Sequence, residues 1–372
     1  MHTIHCKLFI LKLVLLISVV DANSQHLAAK KDIFQWGTLP SIPDSIGYAG
    51  SFAGTAGGVL IVGGGSNFPN GGTPWNGGKK QWYDKIYVLE EPGGVWKQAG
   101  TLPFPLGYGV SVSTDKGLVI IGGSNESGHL ADVFRLQFKD GKINIERLPS
   151  LPFPLANTCG AQVGEKILIA GGLSNPASTT TEHAFLCLDL KNLEGGWKEL
   201  PAWPGPSRML AIAGANKDRF YLFSGTQVVD GKRVYLKDAY SYQEKTGWQK
   251  LANLPHPVVA APSPAFNDPG KALYIFGCDT GKDAAEAAVL RERHPGFSKE
   301  ILCYEPSKGV WSVAGEIYTQ KKKDAVERPN NSIWAPVTTT LAVWKHMIVI
   351  AGGEVRPGTR TPNVLIAKFQ RM

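Results

Sequence analysis

The sequence predicts an all-β protein assembled from six copies of one structural unit, and three observations carry that expectation. The 372 residues include 43 Gly, 25 Pro, 10 Trp, 11 Tyr and 15 Phe, while only 19% are charged. That mixture suits many short strands joined by turns rather than helices. An apolar run ending in a diglycine recurs as VLIVGGGSN (59–67), LVIIGGSN (118–125), ILIAGGLSN (167–175) and MIVIAGGEV (347–355), with weaker copies FYLFSGTQ (220–227) and LYIFGCDT (273–280). Each of the first five copies is followed by a polar loop and a second apolar run: KIYVLE, DVFRLQF, HAFLCLDL, DAYSYQ and ILCYEP.

Taken in chain order, the first 25 residues read as an export signal. Lys7 precedes an apolar run at 8–20, interrupted by Lys12, and Val20-Asp21-Ala22 offers the small residues a signal peptidase requires. Cleavage after residue 22 leaves one domain over 26–372 in a secreted or periplasmic setting. No later stretch is long and apolar enough to span a membrane as a helix.

The repeated unit then runs five times. A turn after the second apolar run leads to Trp96, Trp197, Trp248 or Trp311. The second unit departs from this, with Ile145 or Arg147 at that place. A proline-bearing segment such as LPFP or LPHP closes each unit. A fixed period near fifty residues signals repeated supersecondary units that bury their faces against one another. The sixth unit stops after GGEVRPGTRTPNVLIAKF, without its Trp or its last strand. The missing piece stands at the other end, where DIFQWGTLPSIP (32–43) carries Trp36 followed by Leu-Pro. The N-terminal strand is therefore expected to complete the last unit and remove an open edge.

A diglycine, a Tyr-type strand and a Trp in that order resemble the kelch repeat. The resemblance implies four-stranded blades forming a six-bladed β-propeller around a central channel, with the loops after the diglycines gathered at one mouth. That fold hosts enzymes, adaptors and lectins, so function has to be read from the loops. Three of them share Ser-Asn (Ser66-Asn67, Ser124-Asn125 and Ser174-Asn175), where short polar side chains cap turns. Asn67, Asn125 and Asn175 are also candidates for holding sugar hydroxyls, and Arg208 is a further candidate binding residue.

The sixth loop, GGEVRPGTRTPNV, is similar to the signature loop of the sialic-acid mutarotases, the N-acetylneuraminate epimerases. The match covers Gly353, Glu354, Arg356, Pro357, Gly358, Arg360 and Thr361. SIWAPVTTTLAVWKHMIVIAGG (332–353) and GYGVSVSTDKGLVIIGG (107–123) also have that family's look. The loop lies in the last unit here, and the order of pieces resembles a cyclically permuted branch of the family. The resemblance implies interconversion of the α and β anomers of a sugar acid by acid–base ring opening and closing, without a cofactor or metal. Glu354 would act as the base. Arg360 would grip the substrate carboxylate through its planar fork, with Arg356 as a second candidate. The bland alternative is an ion pair that merely stabilises the loop, on a propeller that binds a glycan or a protein partner without turnover.

Other chemistries fare poorly. The eight histidines show no metal-type spacing, which speaks against a copper oxidase. The Ser-x-Asp-x-Gly-x-x-Trp box of sialidase propellers, GxSxG, P-loop and dinucleotide fingerprints are all absent. Lys321-Lys322-Lys323 reads as a solvated loop rather than a nucleic-acid patch. The formal net charge of +8 suits an anionic ligand. Beyond the leader, Cys159, Cys187, Cys278 and Cys303 lack CxxC spacing. Cys278–Cys303 could pair, but Cys187 and Cys303 sit in apolar runs that favour buried free thiols. The segment 277–301 reads as an insertion with a short helix at 283–293, either a lid over the channel or an ornament.

Overall fold

Each repeated unit folds into a four-stranded antiparallel sheet. The computed structural model describes residues 33–370 apart from 71, 285 and 324–331, so the expected leader at 1–22 lies outside the described residues. Blade 1 is built from Phe52–Ala56, Val59–Gly63, Lys85–Leu89 and Lys97–Thr101, and blade 2 from Val110–Thr114, Gly117–Asn125, Gly128–Lys139 and Lys142–Leu148. Blade 3 uses Cys159–Val163, Lys166–Ala170, Phe185–Asp189 and Trp197–Glu199. Blade 4 uses Ile212–Asn216, Arg219–Phe223, Ala239–Gln243 and Gly247–Lys250. Blade 5 uses Phe266–Asp268, Ala272–Cys278, Ser298–Glu305 and Val310–Glu316. Blade 6 combines Leu341–Trp344, Met347–Ala351 and Val364–Phe369 with the N-terminal strand Phe34–Leu39. That strand pairs antiparallel with 364–369, Trp36 opposite Ala367. The ring is thus closed by the strand the last unit lacked. Among the described residues, no helix is long and apolar enough to cross a membrane.

The second strands are apolar on both faces because both faces are covered. Val59–Gly63 and Met347–Ala351 are buried throughout. A continuous apolar run, rather than an alternating one, is what a strand between two packed layers requires. Six large clusters each occupy the seam between two neighbouring blades: 6 and 1, 1 and 2, 2 and 3, 3 and 4, 4 and 5, 5 and 6. Four repeated tryptophans each bind their own blade to the one before it. Their Nε1 atoms donate to backbone carbonyls of the preceding closing segment: Trp96 to Pro40 at 2.7 Å, Trp197 to Pro149 at 2.9 Å, Trp248 to Pro201 at 2.7 Å and Trp311 to Ala252 at 2.9 Å. Blade 2 substitutes Ile143 and Ile145, which pack on the seam with blade 1. Arg147 is exposed and paired with Asp132. The four cysteines of the propeller are buried and free.

Around the axis runs a closed circuit of six backbone hydrogen bonds. Gly50 N–H donates to Thr338 O, Tyr108 to Gly50, Asn157 to Tyr108, Leu210 to Asn157, Ala260 to Leu210 and Thr338 to Ala260, at 2.6–2.9 Å. All six residues have positive φ, between 53° and 67°. One residue earlier in every blade, a backbone bridge pairs the entering strand with the residue after the diglycine or its Ser-Gly or Gly-Cys equivalent: Ala49–Ser66, Gly107–Ser124, Ala156–Leu173, Met209–Thr226, Val259–Asp279 and Val337–Glu354. These bridges define one equivalent position in six copies. Glu354 occupies it in blade 6 and Asp279 in blade 5.

Candidate active site

The diglycine of blade 6 delivers the chain to the mouth in a shape other residues would resist. Gly353 has φ 110°, and a Cβ there would lie 2.8 Å from Val337 O and 2.9 Å from Pro336 Cβ. The chain then forms a small hairpin, Glu354–Arg356 against Thr359–Arg360, with Glu354 directly opposite Arg360. Glu354 Oε1 accepts from Gly358 N–H at 2.6 Å and lies 3.5 Å from Arg360 Nη1. Its Oε2 makes no hydrogen bond among the described residues. Arg360 is 4% exposed, with its guanidinium 4.8 Å from the Phe68 ring and its Nη2 3.4 Å from Tyr108 Oη. Its Nε and Nη1 are buried with no hydrogen-bond partner among the described residues. Burial opposes its charge, but Glu354 and the Tyr108 hydroxyl outweigh burial and raise its pKa above the usual arginine value. Two buried donors without a hydrogen bond leave room for a further acceptor beside the Glu354 ion pair.

Glu354 and Arg360 open into a cavity of about 740 Å³ at the mouth, to which all six blades contribute. The non-glycine members of the hydrogen-bonded circuit form part of its lining. Phe68, Trp82, Tyr108, Tyr235 and Phe297 supply aromatic surface, and Lys80, Arg233, Asp279 and Glu126 supply further charge. Tyr235 Oη donates to Asp279 Oδ2 at 3.3 Å, and burial, then Asp279, push its phenol pKa up. A largely apolar wall with a few convergent polar groups is the usual anatomy of a small-molecule site. Among the described residues, no cluster of His, Cys, Asp or Glu is arranged to hold a metal ion.

Several residues expected to bind ligand belong to the scaffold instead. Arg208 is fully buried, forked onto Asp238 at 3.0 and 2.8 Å and bonded to the carbonyls of Pro206 and Ser224. It lies 5.2 Å from the Trp203 ring centre and 5.4 Å from that of Tyr240, and is not among the cavity residues. Arg356 also turns away. A register shift between Glu354 and Arg356 separates the two side chains, and the Arg356 guanidinium donates to Glu292 O beside Trp334. Asn67 is buried, donating to Gly47 O and accepting from Tyr83 Oη at 2.8 Å. Asn175 caps Ala177 N–H in an exposed turn. Asn125 caps Ser127 N–H yet does line the cavity. The shared Ser-Asn was partly a coincidence of spelling. Ser66 and Ser124 hold the bridging position, but in blade 3 that position is Leu173 and Ser174 falls one residue later.

Sequence reading passed over Tyr108, Lys80, Tyr235, Arg233 and Asp279. Asp279 had a legible signal, since GCDT aligns with GGEV and puts an acid at the place of Glu354. The insertion of blade 5 carries a short helix, Ala287–Leu290, extended by Arg291–Arg293. Ala284 and Ala287 line the cavity, and Glu292 accepts a hydrogen bond from Trp75 Nε1 of blade 1 at 3.0 Å. The insertion therefore covers part of the mouth.

Fold and site together define a six-bladed β-propeller with a charged cavity at one mouth. A family model described as N-acetylneuraminate epimerase matches residues 19–145 and 148–280, and the chain belongs to that family. The matched residues stop short of the Glu354 hairpin. Among the relatives, an N-acetylneuraminate epimerase of Haemophilus influenzae (strain 86-028NP) is 27% identical over 247 residues, 61% of this chain and 60% of that protein. One of Salmonella arizonae is 40% identical over 109 residues, 27% of this chain and 28% of that protein. The aligned part thus spans about three fifths of the Haemophilus protein's length. A solved structure titled "Structure of YjhT" superposes with a TM-score of 0.61 at 17% identity, covering 87% of this chain and 95% of that one, and so shares the fold.

Proposed function

We propose that the protein is a mutarotase that interconverts the α and β anomers of N-acetylneuraminate. The observation that carries this reading is the buried Arg360, with Nε and Nη1 making no hydrogen bond among the described residues, ion-paired at 3.5 Å with Glu354 in a cavity of sugar size or larger. The anomeric carbon of this sugar acid bears a carboxylate, a hydroxyl and the ring oxygen. Arg360 binds the carboxylate through a charge-assisted contact. Glu354 takes the proton of the anomeric hydroxyl as the bond from that carbon to the ring oxygen breaks, and returns it when the ring closes on the other face. Acid–base groups positioned in this way contribute about 10²- to 10⁴-fold each. The family to which the chain belongs and the names of its relatives support the same substrate. The apolar N-terminal segment supports action after export, in the periplasm or outside the cell.

NMR of α-anomer freshly released by a sialidase tests the proposal. The protein should speed its equilibration with the β anomer well beyond the spontaneous rate. Saturable binding with no acceleration would establish instead a propeller that holds the sugar acid without turnover.

A further inference from the structure

Ring opening needs a second proton-handling group, because the ring oxygen must gain a proton as the anomeric hydroxyl loses one. We infer that Tyr108 is this group: its hydroxyl gives a proton to the ring oxygen on opening and takes it back on closure. The inference rests on the mutarotase reading and deepens it.

The placement follows from the substrate's own geometry. Carboxylate, hydroxyl and ring oxygen all hang on one carbon, so the groups that serve them must be immediate neighbours. Arg360 has Glu354 on Nη1 at 3.5 Å and Tyr108 Oη on Nη2 at 3.4 Å. A carboxylate held by this guanidinium brings its carbon between the base on one side and the phenol on the other. The remaining candidate acids are less well placed. Tyr235 is already donating to Asp279, and burial lowers the His129 pKa, which disfavours the protonated ring an acid would need.

The surroundings of Tyr108 fit proton exchange. Arg360 stands at its oxygen, and Lys80 Nζ lies 5.0 Å from its ring centre. Negative charge left on Oη after donation is met by Arg360, with Lys80 over the ring. The other titratable groups lining the same cavity are Glu354, Asp279, Arg233, Tyr235, Glu126 and His129. Ser66 Oγ, 3.0 Å away, holds the hydroxyl in place. The ring is fixed as well. Tyr108 has φ 61°, an uncommon conformation for an aromatic residue. A Cβ on Gly50 would come within 2.7 Å of its ring, and Trp82 meets it edge-on at 5.4 Å.

The step balances without any further reactant. The hydroxyl proton passes to the Glu354 carboxylate and its O–H electrons form the ketone. The bond between the anomeric carbon and the ring oxygen breaks, and that oxygen takes the Tyr108 proton with the bonding pair. Closure on the opposite face reverses each transfer, so both side chains end as they began.

The test compares wild type with Tyr108→Phe, which removes only Oη, and with a fluorotyrosine placed at 108. Tyr108→Phe should slow anomer exchange by about 10²-fold or more while binding of the sugar acid changes only a few-fold. The more acidic fluorinated phenol should move the alkaline limb of the pH–rate profile to lower pH, which a purely structural ring would not do. A Tyr108→Phe protein at the wild-type rate, a loss confined to binding, or an unmoved limb would overturn the assignment. A wild-type protein that gives no acceleration at all would overturn the mutarotase reading itself, and the role of Tyr108 with it.

Discussion

Glu354 and Arg360 face each other across a hairpin so short that only Pro357 and Gly358 separate its strands, with Oε1 and Nη1 3.5 Å apart. The pair is fixed by backbone pairing rather than by two long side chains finding each other in solvent. It therefore loses little freedom when a ligand arrives.

Substitutions should separate the two roles. Glu354→Gln keeps size and reach but removes basicity, and it should cut anomer exchange by about 10²-fold or more with binding largely retained. Arg360→Ala should act mainly on binding, read as a raised half-saturation concentration. Equal effects of both variants on rate and binding would contradict this division.

Arg208 should matter for stability and not for the sugar acid. Arg208→Met leaves Asp238 without its cation in a nearly closed site, where burial and Asp238 already push the Tyr240 phenol up to about 12. Losing one partner of such a pair costs about 3–5 kcal/mol. Denaturant unfolding should show that loss, while the folded fraction binds the sugar acid as wild type does. A selective binding defect without destabilisation would return Arg208 to the site.

The N-terminal strand should be indispensable to the ring. Phe34 is 4% exposed and meets Tyr274, Phe276 and Phe369 with ring centres 5.0–5.5 Å apart. It therefore seals blade 6 against blade 5. Phe34→Ala should cost about 3–5 kcal/mol, and deleting residues 33–39 should expose an unpaired edge and cause aggregation. Unchanged melting after the deletion would refute ring closure by this strand.

Acid should destabilise the protein partly through His294. The residue is 5% exposed and its Nδ1 accepts Gly296 N–H at 3.1 Å, which requires a neutral ring nitrogen. Burial, aided by Arg356 against the opposing pull of Asp283 and Asp279, depresses its pKa. The unfolded chain then binds this proton more readily than the folded one. Stability from this group is complete above about pH 6.5 and falls as pH drops toward the lowered folded value. His294→Asn should show a smaller fall in melting temperature between pH 7.5 and 5.5 than wild type. An identical fall in both proteins would exclude His294 as a source.

Periodicity made the blades legible because each unit solves the same burial problem with the same residue types. Apolar second strands, diglycines and tryptophans are local consequences of packing between two neighbours. Trp36-Gly-Thr-Leu-Pro betrayed the origin of the last strand for the same reason. The Glu354 hairpin was legible too, since Gly-Glu, Pro-Gly and Arg-Thr lie within one short segment whose geometry is local. What the linear order could not reveal was which polar side chains share the cavity. Arg208 and Asn67 looked like ligand contacts, but neighbouring loops supply partners that bury them. Tyr108, 252 residues from Arg360 in sequence, reaches it only because the circuit of backbone bonds brings all six blades to one axis. Chain order thus determined the repeating blade and one candidate catalytic hairpin. Closure of the ring decided what surrounds that hairpin, because contacts across the axis join residues whose separation in sequence carries no local signal.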